Sequence, residues 1–193
     1  DEARKVPILG ANDGGSGTAI LLSLALSVRR PPQDLLLAFF DAEDVGNIDG
    51  NPFSVGAAAY VADPLPTRPA EAVILDMVGG RSMVLDIDAH SLMQHTSYRL
   101  TQTVFRIGLQ RQVPAFTNDK PNRIKYIICD HFPFLKAHIP AAVLIDIDYP
   151  EWHTARDTPE AMTEESLRGV YDVASELVET PRDARMLADT LDA

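Results

Sequence analysis

Residues 35–46, Leu-Leu-Leu-Ala-Phe-Phe-Asp-Ala-Glu-Asp-Val-Gly, constrain the fold more than any other stretch of the chain. An unbroken apolar run followed at once by Asp41, Glu43 and Asp44 reads as a buried central strand that leaves the core and presents carboxylates at its carboxyl end. Open α/β sheets keep their sites at that end. Burying an ionised carboxylate is costly unless a cation or hydrogen-bond donors meet it, and a metal ion is the simplest such cation.

The rest of the chain alternates in a way that fits this reading. A glycine-rich loop, Gly10-Ala11-Asn12-Asp13-Gly14-Gly15-Ser16-Gly17, precedes a nearly all-apolar helix over residues 18–28, which is expected to be covered on most faces. Arg29, Arg30, Pro31 and Pro32 end that helix. A short alanine-rich helix over 53–61, a proline-rich connector, a second buried strand over 72–78 ending near Asp76, and a third strand over 83–87 follow. Helical spacing of Leu92, Leu100, Val104 and Ile107 predicts one long helix over 91–110. Residues 112–125 read as a surface loop, residues 130–135 as a helix start that tolerates Pro133, and residues 141–147 as a fourth buried strand. Thr163 is the expected N-cap of the last clear helix, with Leu167, Val170, Ala174 and Leu177 as its buried stripe. Residues 183–193 are expected to add a turn or two of helix or to fray. The fold class is α/β: a three-layer α/β/α sandwich with a mostly parallel central sheet.

Composition narrows the partners. The 193 residues form enough apolar content, 46%, for one core of ordinary size, and a single domain over residues 1–193 is expected. A formal net charge of −11 argues against nucleic acid or an anionic membrane surface. No apolar run is long enough to span a bilayer. The one cysteine, Cys129, excludes an intrachain disulfide and a cysteine-rich zinc finger within this chain, and reads as a small core residue. The chain lacks an initiator Met and an export signal and opens as if mid-domain.

Strand ends carry the reactive groups: Asp13 in the first loop, Glu43 and Asp44 in the second, Asp76 at another, and His153 beside the lone Trp152 in the last. Carboxylate oxygens with an imidazole nitrogen suit Zn²⁺, which keeps a position open for water in catalytic sites. Singly, each has an ordinary alternative. Asp13 fits turn chemistry, Glu43 and Asp44 fit a solvated charge cluster, Asp76 fits a turn before Gly79 and Gly80, and His153 fits a packed histidine. His131, at a helix start, reads as structural; His90, His95 and His138 read as surface or secondary positions.

The ordered set is more specific than its parts. Gly-Ala-Asn-Asp-Gly-Gly-Ser-Gly, Phe-Phe-Asp-Ala-Glu-Asp-Val-Gly, Leu-Asp-Met-Val-Gly, Asp-His-Phe-Pro-Phe-Leu and Trp-His-Thr-Ala-Arg-Asp-Thr occur in that order. Together they resemble the zinc-dependent aminopeptidase family that also contains the animal glutaminyl cyclases, whose fold is the phosphorylase/hydrolase-like zinc exopeptidase fold. The resemblance implies Zn²⁺, one or two ions, with Asp13, Asp44 and His153 as ligands and Asp76 on the second ion where one is present. It implies Glu43 as the catalytic general base, Asp157 as a residue behind His153, Trp152 in the substrate pocket, Asp130 near the site and Asp41 as a supporting turn residue. The implied substrate is a peptide with a free N-terminus.

Departures from the family pattern matter too. Two-metal members carry a His-x-Asp segment upstream, and no histidine precedes Asp13 here, so the domain is expected to be N-terminally incomplete relative to the family. Cys129 stands where cyclases carry an acid that helps proton transfer, and Val143 falls near another of their histidines, whereas Trp152-His153-Thr154 favours a cyclase. The main expectation from the resemblance is hydrolysis of the N-terminal peptide bond. Pyroglutamate formation from N-terminal glutamine is the alternative, and a catalytically inactive binding domain a further one. Many family members are exported; this sequence carries no address of its own.

Overall fold

A computed structural model describes residues 7–64, 67–117 and 123–185. The expectations for residues 1–5, for part of the proline-rich connector, for the middle of the 112–125 loop and for residues 186–193 lie outside the described residues.

Two parallel strands hold the centre. β1 (Ala72–Asp76) pairs with β4 (Ala141–Ile145) in register from Ala72 opposite Ala141 to Asp76 opposite Ile145, so both carboxyl ends point the same way. Side chains alternate between faces. Val73, Leu75, Ala142 and Leu144 join one core with Ile20 and Leu24 of α1 (Gly15–Ser27), Leu100 and Val104 of α4 (His95–Gln110), and Val170, Val173 and Leu177 of α6 (Glu164–Glu179). On the opposite face Ala72, Ile74 and Ala141 pack with Ala57 of α2 (Val55–Ala62) and Phe134 and Leu135 of α5 (His131–Lys136). Helices therefore cover both faces of a parallel pair, which is the three-layer α/β arrangement.

α6 forms where its N-cap dictates: Thr163 Oγ1 accepts from the Ser166 N–H, and Glu164 and Glu165 occupy the positive end of the helix dipole. β4 is buried along its whole length, as an apolar run without polar interruption should be.

Four sequence expectations are corrected. Residues 35–40 are extended but form no strand, and Leu35, Leu36 and Phe39 are exposed. A strand exists only through a ladder, and among the described residues no ladder partner meets this segment. α1 is covered on one face, through Ile20 and Leu24, while Leu22 and Leu26 are exposed. The expected strand over 83–87 shrinks to β2 (Ile87–Asp88), paired in parallel with β3 (Ile124–Lys125), because its earlier N–H groups bond elsewhere, Leu85 to Ala115 O and Asp86 to Ile145 O. The long helix over 91–110 is broken into α3 (Ala89–Leu92) and α4. Gln94 between them is extended and its side-chain amide donates to Leu135 O at 3.1 Å, tying the break to α5.

Candidate metal centre

The first loop is shaped by its glycines and by one buried acid. Gly10 (φ 65°) and Gly14 (φ 91°) take left-handed conformations. The backbone N–H groups of Asn12 and Asp13 donate to the two carboxylate oxygens of Asp157 at 2.9 and 3.0 Å, and Tyr149 OH donates to the same carboxylate at 3.0 Å. The Asp157 carboxylate thus holds the backbone that carries Asp13, whereas it was expected to stand behind His153. The buried Asn12 side chain accepts from Gly79 N–H at 2.7 Å and Ser16 Oγ from Val78 N–H at 3.0 Å, fastening the loop to the end of β1. Asp13 and Asp76 are brought into one electrostatic neighbourhood this way.

Residues 41–44 form the second wall. Ala42 is left-handed (φ 54°), and the backbone oxygens of Asp41, Ala42 and Glu43 accept from the N–H groups of Gly56, Val55 and Ser54, which open α2. Asp41 is therefore a turn-holding residue whose carbonyl and side chain lie against Gly56. The third wall is the loop after β4, where His153 itself is left-handed (φ 56°). Positive φ at non-glycine positions costs energy and collects where a site over-determines the backbone.

These walls converge. His153 Nε2 lies 3.2 Å from Asp44 Oδ1 and 3.4 Å from Asp13 Oδ2, and ligand atoms of Asp13, Asp44 and His153 all fall within 4.8 Å of one another. Burial, then the charges of Asp76, Asp44 and Asp157, pushes the Asp13 carboxyl up to about 7. Burial, then a hydrogen bond and charge from Asp44, pushes Glu43 up to about 9. Asp130 is pushed up to about 6 by burial and by the charges of Asp76, Asp44 and Asp41. Asp76 is raised chiefly by burial, and its Oδ2 accepts a hydrogen bond from the Cys129 thiol at 3.3 Å. Burial and the neighbouring acids hold that thiol in its protonated form. Trp152 is 41% exposed, its ring 4.5 Å from the His153 ring at the open side.

The donor set fits Zn²⁺. It offers two carboxylate oxygens and an imidazole nitrogen on one side and open solvent on the other, and its acids repel one another in a way that a divalent cation relieves. Val143 lies buried in β4 and contributes no group to the centre.

One buried cluster escaped the sequence reading. Asp88 accepts from Ser91 N–H and Oγ and from Ile127 N–H, and sits 3.0 Å from His131 Nε2 and 3.1 Å from His90 Nδ1. His90, read as a surface position, is thus an acid's partner. The signal was the alternation Asp86-Ile87-Asp88 inside an apolar segment, which places both acids on one buried face.

Similarity to known proteins agrees with the geometry. A curated glutaminyl-peptide cyclotransferase of Drosophila melanogaster is 26% identical over 181 residues, covering 79% of this chain and 50% of the relative. Among solved structures, a glutaminyl cyclase of Tannerella forsythia aligns with a TM-score of 0.78 and 26% identity over 91% of this chain and 65% of its own. A Zn-dependent exopeptidase of Parabacteroides distasonis aligns with a TM-score of 0.80 and 24% identity over 91% of this chain and 65% of its own, a likeness of fold. The chain thus spans about half the length of the curated relative and just under two thirds of these structures. Peptidase family M28 matches residues 1–178, nearly all of the sequence, and the chain belongs to that family.

Proposed function

We propose that this chain carries the centre of a zinc enzyme acting on the amino-terminal residue of a peptide, and that its reaction is conversion of amino-terminal glutamine to pyroglutamate with release of ammonia. The observation that carries this choice is the hydrogen bond from the Cys129 thiol to Asp76. It engages the carboxylate that a second ion would need and leaves Asp13, Asp44 and His153 as the ligands of one. Cys129 stands where the resemblance places an acid of the cyclases, and its thiol keeps a proton donor on Asp76. Asp130 supplies a further carboxyl within electrostatic reach of Glu43.

Bound Zn²⁺ supplies Lewis-acid polarisation of the side-chain amide carbonyl. Glu43, beside Asp44 but outside the ligand group, takes a proton from the attacking α-amine and returns it to the departing nitrogen, so the C–N bond to the amine forms as the C–N bond to ammonia breaks. Without the ion, burial and the neighbouring Asp44 hold Glu43 protonated; a divalent cation beside it would favour the ionised form that accepts the proton. Trp152 gives the open side of the site a flat apolar wall for the glutamine side chain.

Hydrolysis of the N-terminal peptide bond is the second reading. The observation favouring it is that Asp76 acts electrostatically on Asp13, giving enough negative charge for two ions. Glu43 would then take its proton from the attacking water. The test offers the protein a glutamine-initiated peptide and, separately, an aminoacyl chromogenic amide, with zinc measured per chain. Cyclisation predicts ammonia and pyroglutamate with one zinc, and a loss of about 10²–10⁴-fold in Glu43→Gln with zinc retained. Free amino acid with two zinc ions would establish hydrolysis in its place, and neither product would leave a binding domain.

A further inference from the structure

Asp88 does more than its place at a helix start requires. It is the N-cap of α3, where its Oδ2 accepts from the Ser91 N–H at 2.7 Å and from Ser91 Oγ at 2.9 Å. Serine or asparagine serves such a cap without burying a charge. The other contacts of the carboxylate go to one short segment: Oδ1 accepts from the Ile127 N–H at 3.1 Å, and Oδ2 lies 3.0 Å from His131 Nε2. His90 adds a further tie, its Nδ1 lying 3.1 Å from Asp88 Oδ1 and 3.2 Å from the Ile127 carbonyl oxygen.

One buried carboxylate therefore grips residues 127 and 131, and two of the three residues between them meet the metal centre. The Cys129 thiol donates to Asp76 Oδ2 at 3.3 Å, and Asp130 lies within electrostatic reach of Glu43 and Asp44. Ile127 and Cys129 also pack with Met77, Val143 and Ile145, but apolar contact is non-directional and permits sliding. Hydrogen bonds are directional, so the bonds to Asp88 set where the segment comes to rest. Asp88 belongs to β2 and Asp76 to β1, and the segment ties one to the other.

We propose that Asp88 is a positioning residue of the centre: through Ile127 and His131 it fixes where Cys129 and Asp130 stand against Asp76 and Glu43. Its effect on turnover rests on the cyclisation reading above; the placement itself does not. In Asp88→Asn the side chain keeps its shape, but its amide nitrogen cannot accept, so one oxygen is left to serve both Ser91 and Ile127. The segment or the cap must then give way.

Cys129 is the only cysteine of the chain, so the infrared S–H stretching band reports on this one hydrogen bond. Donation to Asp76 lowers its frequency, and in folded Asp88→Asn the band should move up toward that of a free thiol. With a glutamine-initiated peptide, kcat should fall by about 10- to 100-fold while KM and zinc per chain change little. His131→Leu, which removes the segment's own partner and leaves the Ser91 cap in place, should move band and kcat in the same directions. Leu177→Ala, a truncation in the separate core beneath α6, is the control for lost stability and should match the parent in both. An unshifted band in folded Asp88→Asn and His131→Leu overturns the placement. A shifted band with unchanged kcat overturns its effect on turnover, and a band shifted equally in Leu177→Ala reduces Asp88 to a stabilising residue. Absence of pyroglutamate from the parent protein would defeat the cyclisation reading alone, and the band would still decide whether Asp88 places Cys129.

Discussion

Asp88 is 1% exposed and yet ionised, because donors surround it. Burial alone would raise its pKa, but the hydrogen bond and charge of His131 and the N–H groups of Ser91 and Ile127 outweigh burial and hold it well below the usual carboxylate range. A depressed folded-state pKa contributes stability above the unfolded value, about 3.9, and loses it as pH falls toward the folded one. Asp88→Asn should therefore cost about 3–5 kcal/mol at neutral pH, since removing one partner leaves a buried imidazole uncompensated. In urea unfolding, the gap between parent and variant should narrow steadily below about pH 4; a gap of equal size at pH 7 and pH 3 would show that the charge is not what matters. That Asp13, Asp44 and His153 come together was legible because each lies in a short motif whose order along the chain is informative. Asp88 was not, because its partners come from residues 90, 91, 127 and 131, and only folding shows that they meet.

At the scale of elements, legibility tracked self-sufficiency. α6 announced itself through its own cap and stripe, and β4 through an uninterrupted apolar run buried on both faces. Residues 35–40 have just as apolar a run, but a strand is a property of its neighbours, and composition cannot supply a ladder. Contact between α1 and β1 was equally invisible. Gly17 sits so close to the Leu75 carbonyl oxygen that a Cβ at this position would collide with backbone, so glycine sets the distance between helix and strand. That distance matters because α1 carries the Asp13 loop at its start and β1 carries Asp76 at its end. Gly17→Ala should cost about 1–3 kcal/mol by overpacking and should also weaken zinc affinity, because the helix must move off the strand. Calorimetric unfolding and zinc titration on the same preparation check both parts; lost stability with unchanged zinc affinity would separate the packing from the site.

The whole molecule is polarised along its central strands, with acids at the carboxyl ends and guanidinium groups at the amino ends. The acidic end has a thermodynamic consequence. Carboxyls buried together are raised above their unfolded values of about 3.9 for Asp and 4.3 for Glu: Asp130 to about 6, Asp13 to about 7 and Glu43 to about 9. Groups raised in the folded state favour folding below their unfolded pKa and lose that contribution as pH rises through the folded one. In chelator-treated protein the folded state holds more protons than the unfolded chain from about pH 4 to pH 9, so stability must fall as pH rises across that window. A divalent cation among Asp13, Asp44 and His153 replaces those protons, and its own binding strengthens as its ligands deprotonate. Melting curves with zinc and with chelator should therefore lie close together near about pH 5 and diverge progressively toward about pH 8, the chelated protein melting lower. His153→Ala, which removes the imidazole nitrogen from that group, should follow the chelated curve whether or not zinc is present. Parallel curves for parent protein with and without zinc would mean that the raised carboxyls and the metal do not share one site.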